Sequence, residues 1–216
     1  MDLREAVIEP RDRLAGRVSR ETLDRLDAYA ALLLKWNRRI NLIARSTVDD
    51  LWRRHILDSA QFAKHAPPDL RRWADIGSGA GLPGLIVAIC LKETHPAARV
   101  TLVEKDERKA AFLAEVVASL DLDAEIQRVR LAPDMRPPFE ANFDVVSARA
   151  VAPLAELLSL AAPLLAPGGL CILAKGRSSA VEIEEAIRLW RMNLISVDSE
   201  TERDSVILKV EGLQRV

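Results

Sequence analysis

Two patterns of apolar positions divide the chain. Up to about residue 68 they recur at helical spacing. Leu23, Leu26, Ala30, Leu33 and Leu34 put an apolar face on a helix predicted over 20–37. A second helix is predicted over 47–65. Thr47 and Asp50 form a capping-box pair, Leu51, His55, Ile56, Ser59 and Phe62 a partly apolar stripe, and Pro67-Pro68 a stop. From residue 71 strands and helices alternate. Strands are predicted over 72–76, 99–104, 124–129, 143–148 and 170–174. Helices fall over 82–92, 106–120, 152–165 and 178–190, the third ended by Pro167-Gly168-Gly169. Two late strands, 194–198 and 205–210, have no helix between them.

Such alternation implies an α/β fold with a mostly parallel sheet covered on both faces. The last two strands are joined too tightly for a parallel crossover and are expected to be antiparallel. The reading is a seven-stranded sheet with an antiparallel C-terminal strand, in one compact unit over 69–216. A helical extension, 1–68, precedes it.

Composition narrows the class. The 216 residues suit one sizeable domain; with 49% hydrophobic and only 4% aromatic residues, Leu, Val, Ala and Ile carry the core. A formal net charge of -1 argues against a general nucleic-acid binder. Locally, Lys35, Arg38, Arg39, Arg45, Arg53 and Arg54 face only Asp49 and Asp50, which suits either phosphates or a solvated helical surface. No apolar run approaches the roughly 20 residues of a membrane helix, and the start has no signal-peptide core, so a cytoplasmic chain without a membrane partner is expected. Cys90 and Cys171 sit in apolar surroundings and read as buried thiols; His55, His65 and His95 are isolated, so no metal is expected.

The candidate chemistry starts at Ala74-Asp75-Ile76-Gly77-Ser78-Gly79-Ala80-Gly81. A strand runs into three alternating glycines and a helix follows, which lets the backbone turn sharply against a ligand. Glu104 ends the next strand, where a carboxylate can accept two ribose hydroxyls. Asp75, two residues before the first glycine, would repel a diphosphate and suits the amino end of a methionine moiety, which favours S-adenosylmethionine (SAM) over a dinucleotide. Arg149 opens from the fourth strand with a fork that suits a carboxylate, a phosphate or a guanine edge. Lys175 ends the fifth strand at the same rim and is placed to meet a phosphate. Spacing alone pairs Arg54 with Asp58 along one helix.

These residues carry a resemblance. Asp75 to Gly84, Lys35-Trp36-Asn37 with Asn41-Leu42, Arg54-His55-Ile56-Leu57-Asp58-Ser59, Ser147-Ala148-Arg149-Ala150 and Lys175-Gly176-Arg177 are similar, in order, to motifs of the bacterial small-subunit ribosomal RNA (guanine-N7) methyltransferase G family. The resemblance implies a Rossmann-like class I SAM-dependent fold. It also implies methyl transfer to N7 of one guanine in 16S rRNA. The implied partner is 16S rRNA or the small ribosomal subunit, and the chain is expected to be a monomer. Beside Asp75, Gly79 and Glu104, which the residues themselves point to, the resemblance implies SAM contacts at Gly77, Leu82, Arg149, Leu131 and Ala132, with Asp134 a substitute for the acid the family carries at position 132. Arg149, His55, Asp58 and Lys175 are the implied catalytic set; Trp36 and Asn37 read as packing and a helix cap.

N7 has no proton to lose, so no general base is required and positioning carries the rate. The sequence lacks the Asp/Asn-Pro-Pro-aromatic signature of amino-group methylation and the Pro-Cys nucleophile of cytosine-C5 methylation. The alternatives are a SAM-dependent enzyme acting on a small molecule and a non-catalytic SAM-binding module.

Overall fold

The computed structural model describes residues 9–133, 135–149 and 151–216. Helices α1 (Pro10–Ala15) and α2 (Arg20–Asn37) open the chain. Ser19 caps α2 by accepting from the Thr22 amide, and Leu23, Leu26, Ala30 and Leu33 are buried. The helix expected over 47–65 is broken. Arg45–Thr47 is a single 3-10 turn, Trp52–Leu57 is π-helical, and α3 (Asp58–Ala63) follows. The capping box does not form, because Thr47 Oγ1 donates to the Ala44 carbonyl and faces His55.

The rest is one sheet with covering helices. Its strands are β1 (Arg72–Ile76), β2 (Arg99–Val103), β3 (Ala124–Gln127), β4 (Phe143–Arg149), β5 (Leu165–Lys175), β6 (Trp190–Asp198) and β7 (Val206–Arg215). The helices are α4 (Gly84–Thr94), α5 (Glu107–Ser119), α6 (Leu154–Ala161) and α7 (Ser179–Ile187). Strand order is β3-β2-β1-β4-β5-β7-β6. The first five run parallel and β7 lies antiparallel between β5 and β6, as expected.

One expectation fails around β5. The helix expected to run to 165 tightens after Ala161 into a 3-10 turn, Ala162–Leu164, close to its expected end, but the strand begins at Leu165 instead of Leu170. Pro167-Gly168-Gly169 is therefore a bulge inside the strand. Leu165 pairs with Phe143 and Leu170 with Val145, and Gly168 absorbs the excess at φ +79°. The last two strands are also longer than their apolar runs, since β6 starts at Trp190 and takes the end of the helix expected over 178–190.

One core packs Leu26, Tyr29 and Leu33 of α2 and Phe62 of α3 with Trp73, Leu85 and Phe112. The N-terminal helices thus share a core with the sheet across residue 68. On the other side Leu154, Leu157 and Leu158 meet Val146, Leu173 and Leu208. Among the described residues no helix is long and apolar enough to cross a membrane. The order of the strands reverses between β1 and β4, and a crevice for ligands forms at such a point, beyond the strands' C-terminal ends.

Candidate active site

The loop after β1 is a left-handed turn repeated. Gly77, Gly79 and Gly81 have φ of 65°, 55° and 80°, a region that disfavours any side chain. A Cβ on Gly77 would lie 2.8 Å from Val151 Cγ2, so the segment after β4 rests on the loop. At Gly79 the nearest heavy atom to such a Cβ is 3.7 Å away, which marks the open side. From behind, the fully buried Tyr29 of α2 donates from its hydroxyl to the Ala80 carbonyl at 2.7 Å. Tyr29→Phe leaves that carbonyl without a partner in a dry site. It is expected to cost about 1–3 kcal/mol, read as a lower urea midpoint at unchanged slope.

Asp75 does not face the crevice, which corrects the role expected for it. It is fully buried; Oδ1 accepts from Ser147 Oγ at 2.7 Å and Oδ2 from the Gly84 amide at 3.1 Å. Trp73 Nε1 donates to the same Ser147 hydroxyl. Burial raises the Asp75 carboxyl to about 6, against the pull of these donors. The residue ties β1 to β4 and to the start of α4. Glu104, at the end of β2, is nearly buried too. Its Oε2 accepts from the Gly79 amide at 2.9 Å and its Oε1 from the Asp106 amide at 2.8 Å. Each oxygen keeps a lone pair for a further donor.

Arg149 ends β4 and joins three acceptors from the N-terminal helices. Nη1 donates to the Arg54 carbonyl at 3.0 Å and to Asp58 Oδ2 at 2.9 Å, and Nη2 meets His55 Nδ1 at 3.2 Å. The π-helical turn brings this carbonyl and both side chains to one place. Arginine only donates, so Nδ1 must accept and the ring proton sits on Nε2, which gives to Thr47 Oγ1 at 2.8 Å. Burial and then the Arg149 charge lower His55 to about 4, so it is neutral near pH 7. Asp58 therefore pairs with Arg149, and Arg54 turns to Glu202.

Lys175 is also not where a phosphate would find it. Its side chain is only 7% exposed, and Nζ donates to Glu182 Oε2 at 2.7 Å and the Ala152 carbonyl at 2.6 Å. The same Glu182 oxygen accepts from the Leu154 amide, so this pair pins the start of α6 behind Arg149.

A cleft of about 670 Å³ opens beyond β4 and β5, lined by Val151, Pro153, Arg149, His55, Arg54 and Glu202 among others. Its outer wall is the β6–β7 hairpin, expected as a pair of strands but not as part of the site. Thr201 Oγ1 donates to Asp58 Oδ1 at 2.6 Å, the Glu200 amide to Gln61 Oε1 at 2.7 Å, and Arg53 to the Thr201 carbonyl at 3.0 Å. Glu200 also pairs with Arg17 and Lys64. The basic stretch is partly neutralised: Arg53 meets Asp50 and Glu202, and Lys35 meets Glu115. Arg38, Arg39 and Arg45 are exposed and form no ion pair among the described residues.

The remaining residues fall on the other side of the loop. Leu82 is buried, Leu131 is half-buried against the second core, and Ala132 is exposed. Asp134 lies outside the described residues. Trp36 stacks edge-on against Phe112, the packing expected of it, whereas Asn37 Oδ1 accepts from the Leu42 and Ile43 amides of the loop after α2 and does not cap a helix.

A family profile for rRNA small subunit methyltransferase G matches residues 22–205. The chain belongs to this family. A relative of that name from Cereibacter sphaeroides is 46% identical over 199 residues, covering 92% of this chain and 95% of the relative. Another from Rhodospirillum centenum is 47% identical, covering 91% and 87%. The fold is that of SAM-dependent methyltransferases. An Aquifex aeolicus enzyme of that description has a TM-score of 0.55 at 13% identity, over 85% of this chain and 97% of that one. A Methanococcus jannaschii fibrillarin pre-rRNA processing protein scores 0.53 at 20% identity, over 68% and 69%. The cofactor of this methyltransferase is SAM. The loop fits it, with a cradle open at Gly79 and the Glu104 carboxylate beside it.

Proposed function

We propose that this chain transfers a methyl group from SAM to N7 of a specific guanine in 16S rRNA. The observation that carries the reading is the place of the cleft. It starts at Val151, which touches Gly77 of the cofactor loop, and continues past Arg149 to the hairpin. A base drawn from an RNA strand can enter there with an edge toward the loop.

When bound, SAM supplies an electrophilic methyl on a sulfonium. Gly79 would give it backbone room and Glu104 would accept from its ribose hydroxyls, with Gly77, Leu82, Leu131 and Ala132 the further residues that would hold it. Arg149 borders both cofactor and base, so it is the catalytic residue of this reading. His55 and Asp58 fix its fork, and Lys175 fixes the segment that leads to α6; these three are positioning residues. No group has to remove a proton, because N7 attacks with a lone pair. The side chains agree with this. His55 is low and bonded at both nitrogens, while burial pushes the Cys90 and Cys171 thiols up to about 12, far from a nucleophilic thiolate. The exposed Arg38, Arg39 and Arg45 favour a phosphate-bearing substrate over a small molecule. We infer a cytoplasmic enzyme, because its substrate is ribosomal.

Mapping N7-methylguanine in 16S rRNA from cells with and without this protein tests the reading. One site is expected to lose its methyl without the protein and to regain it from labelled SAM when purified protein is added to undermethylated subunits. Transfer to protein or small molecules alone would refute it.

A further inference from the structure

The lining of the cleft includes two side chains that the transfer step leaves unused. Arg54 comes from the π-helical turn and Glu202 from the β6–β7 hairpin, and both line the cavity. Arg54 Nε lies 3.5 Å from Glu202 Oε1, and Arg53 Nη1 donates to the same oxygen at 3.1 Å. Among the described residues, Glu202 Oε2 and the two Nη atoms of Arg54 have no partner. Their side chains are 47% and 34% exposed, open to the cleft and yet held. The hairpin is fixed just before Glu202 by the bonds of Glu200 and Thr201 to Asp58, Gln61 and Arg53, and just after it the Ser205 amide donates to the Glu202 carbonyl, so the carboxylate is preorganised.

Side by side, this pair presents a donor and two acceptors: an Arg54 N–H, then Glu202 Oε1, then Oε2. The Watson–Crick edge of guanine is the complement, with O6 accepting and N1–H and N2–H donating. Adenine fails it, since its amino group would face the guanidinium and its N1 lone pair the carboxylate. A guanine held by this edge also keeps N7, on its other ring, uncovered.

We propose that Arg54 and Glu202 form the specificity site, selecting guanine by its Watson–Crick edge. The inference rests on the proposed function and adds the device that chooses the base. Enzymes acting on an extruded base read that edge with hydrogen bonds. A site built to satisfy a substrate N–H rejects analogues that lack it.

The test uses small subunits reconstituted with ligated 16S rRNA carrying guanosine or inosine at the methylated position. Inosine keeps N7, O6 and N1–H and lacks only the 2-amino group. The wild type is expected to prefer guanosine in kcat/KM by about 10- to 100-fold. Glu202→Gln is expected to lower the guanosine value by a similar factor and bring the ratio of the two substrates close to one. Its Tm and SAM affinity stay at wild-type values. Glu202→Asp keeps the charge and recovers part of the preference. Equal losses on both substrates, with the ratio unchanged, would mean that Glu202 only supports the hairpin and would overturn the proposal. So would a wild type indifferent to the 2-amino group. A wild type that methylates neither substrate would instead bring down the proposed function itself.

Discussion

Arg149→Ala is expected to lower kcat/KM for methyl transfer to small-subunit rRNA about 1000-fold, because the proposed function rests on its positive charge beside the reacting base. The side chains of Arg149 and Asp58 are only 17% and 16% exposed, so the loss is also structural. It strands Asp58 Oδ2, the Arg54 carbonyl and His55 Nδ1, while Asp58 Oδ1 keeps Thr201, and together the losses cost about 3 kcal/mol of stability. Arg149→Lys is expected to rescue little, since one ammonium cannot serve acceptors that a planar fork reaches in three directions. A readout that mere unfolding would not produce is the titration of His55. Its pKa is low partly because of the Arg149 charge, so in Arg149→Ala it moves up from about 4 toward the ordinary value, followed by NMR. The sign for the wild type follows. A histidine held below its unfolded value of 6.5 stabilises the fold above that pH, and the contribution fades as pH falls toward 4. Wild-type turnover in Arg149→Ala would remove the residue from the mechanism.

What could be read in the sequence was local. The α2 stripe, the short strand before Gly77 and the acid after β2 follow from periodicity and glycine sterics, which neighbouring residues decide. Long-range partners were not legible. Arg54 and Asp58 stand at a spacing that pairs them on an α-helix, yet the π-helical turn changes that register and Asp58 takes Arg149, 91 residues away. Lys175 ends a strand at the rim, as read, but Glu182 draws it inward. The charge of Asp75 just before the glycines points to the amino end of a ligand. Strand alternation puts it between β1 and β4, where Ser147 is its partner. The hairpin wall has no motif, and Glu202 becomes visible only when Arg53, 149 residues earlier, is brought against it.

Two glycines of the loop region are expected to fail in opposite ways. Gly84 opens α4 where the helix meets the sheet. A Cβ there would sit 2.7 Å from Asp75 Oδ2 and inside the contact distance of Leu102, and the Gly84 amide is one of the donors to that buried acid. Gly84→Ala must push α4 off the sheet and weaken this bond, at a cost of about 2–5 kcal/mol, a fall in Tm on the order of 10 °C. The deficit depends on pH. Asp75 is raised from 3.8 to about 6, so its ionised form burdens the fold above pH 6, and that burden lifts as pH falls toward 3.8. With one donor weakened the Asp75 value rises further, so Gly84→Ala loses more stability at pH 8 than at pH 5. Gly79→Ala has no such clash. It bears only the strain of φ 55°, about 1–2 kcal/mol, and its Tm falls by only about 2–8 °C. Its methyl projects into the open side of the loop, and SAM affinity is expected to drop about 10- to 100-fold by calorimetry. If Gly79→Ala bound SAM normally, the cofactor would not lie on that side. The two variants separate a glycine needed for packing from one needed for a ligand, within six residues of the same chain.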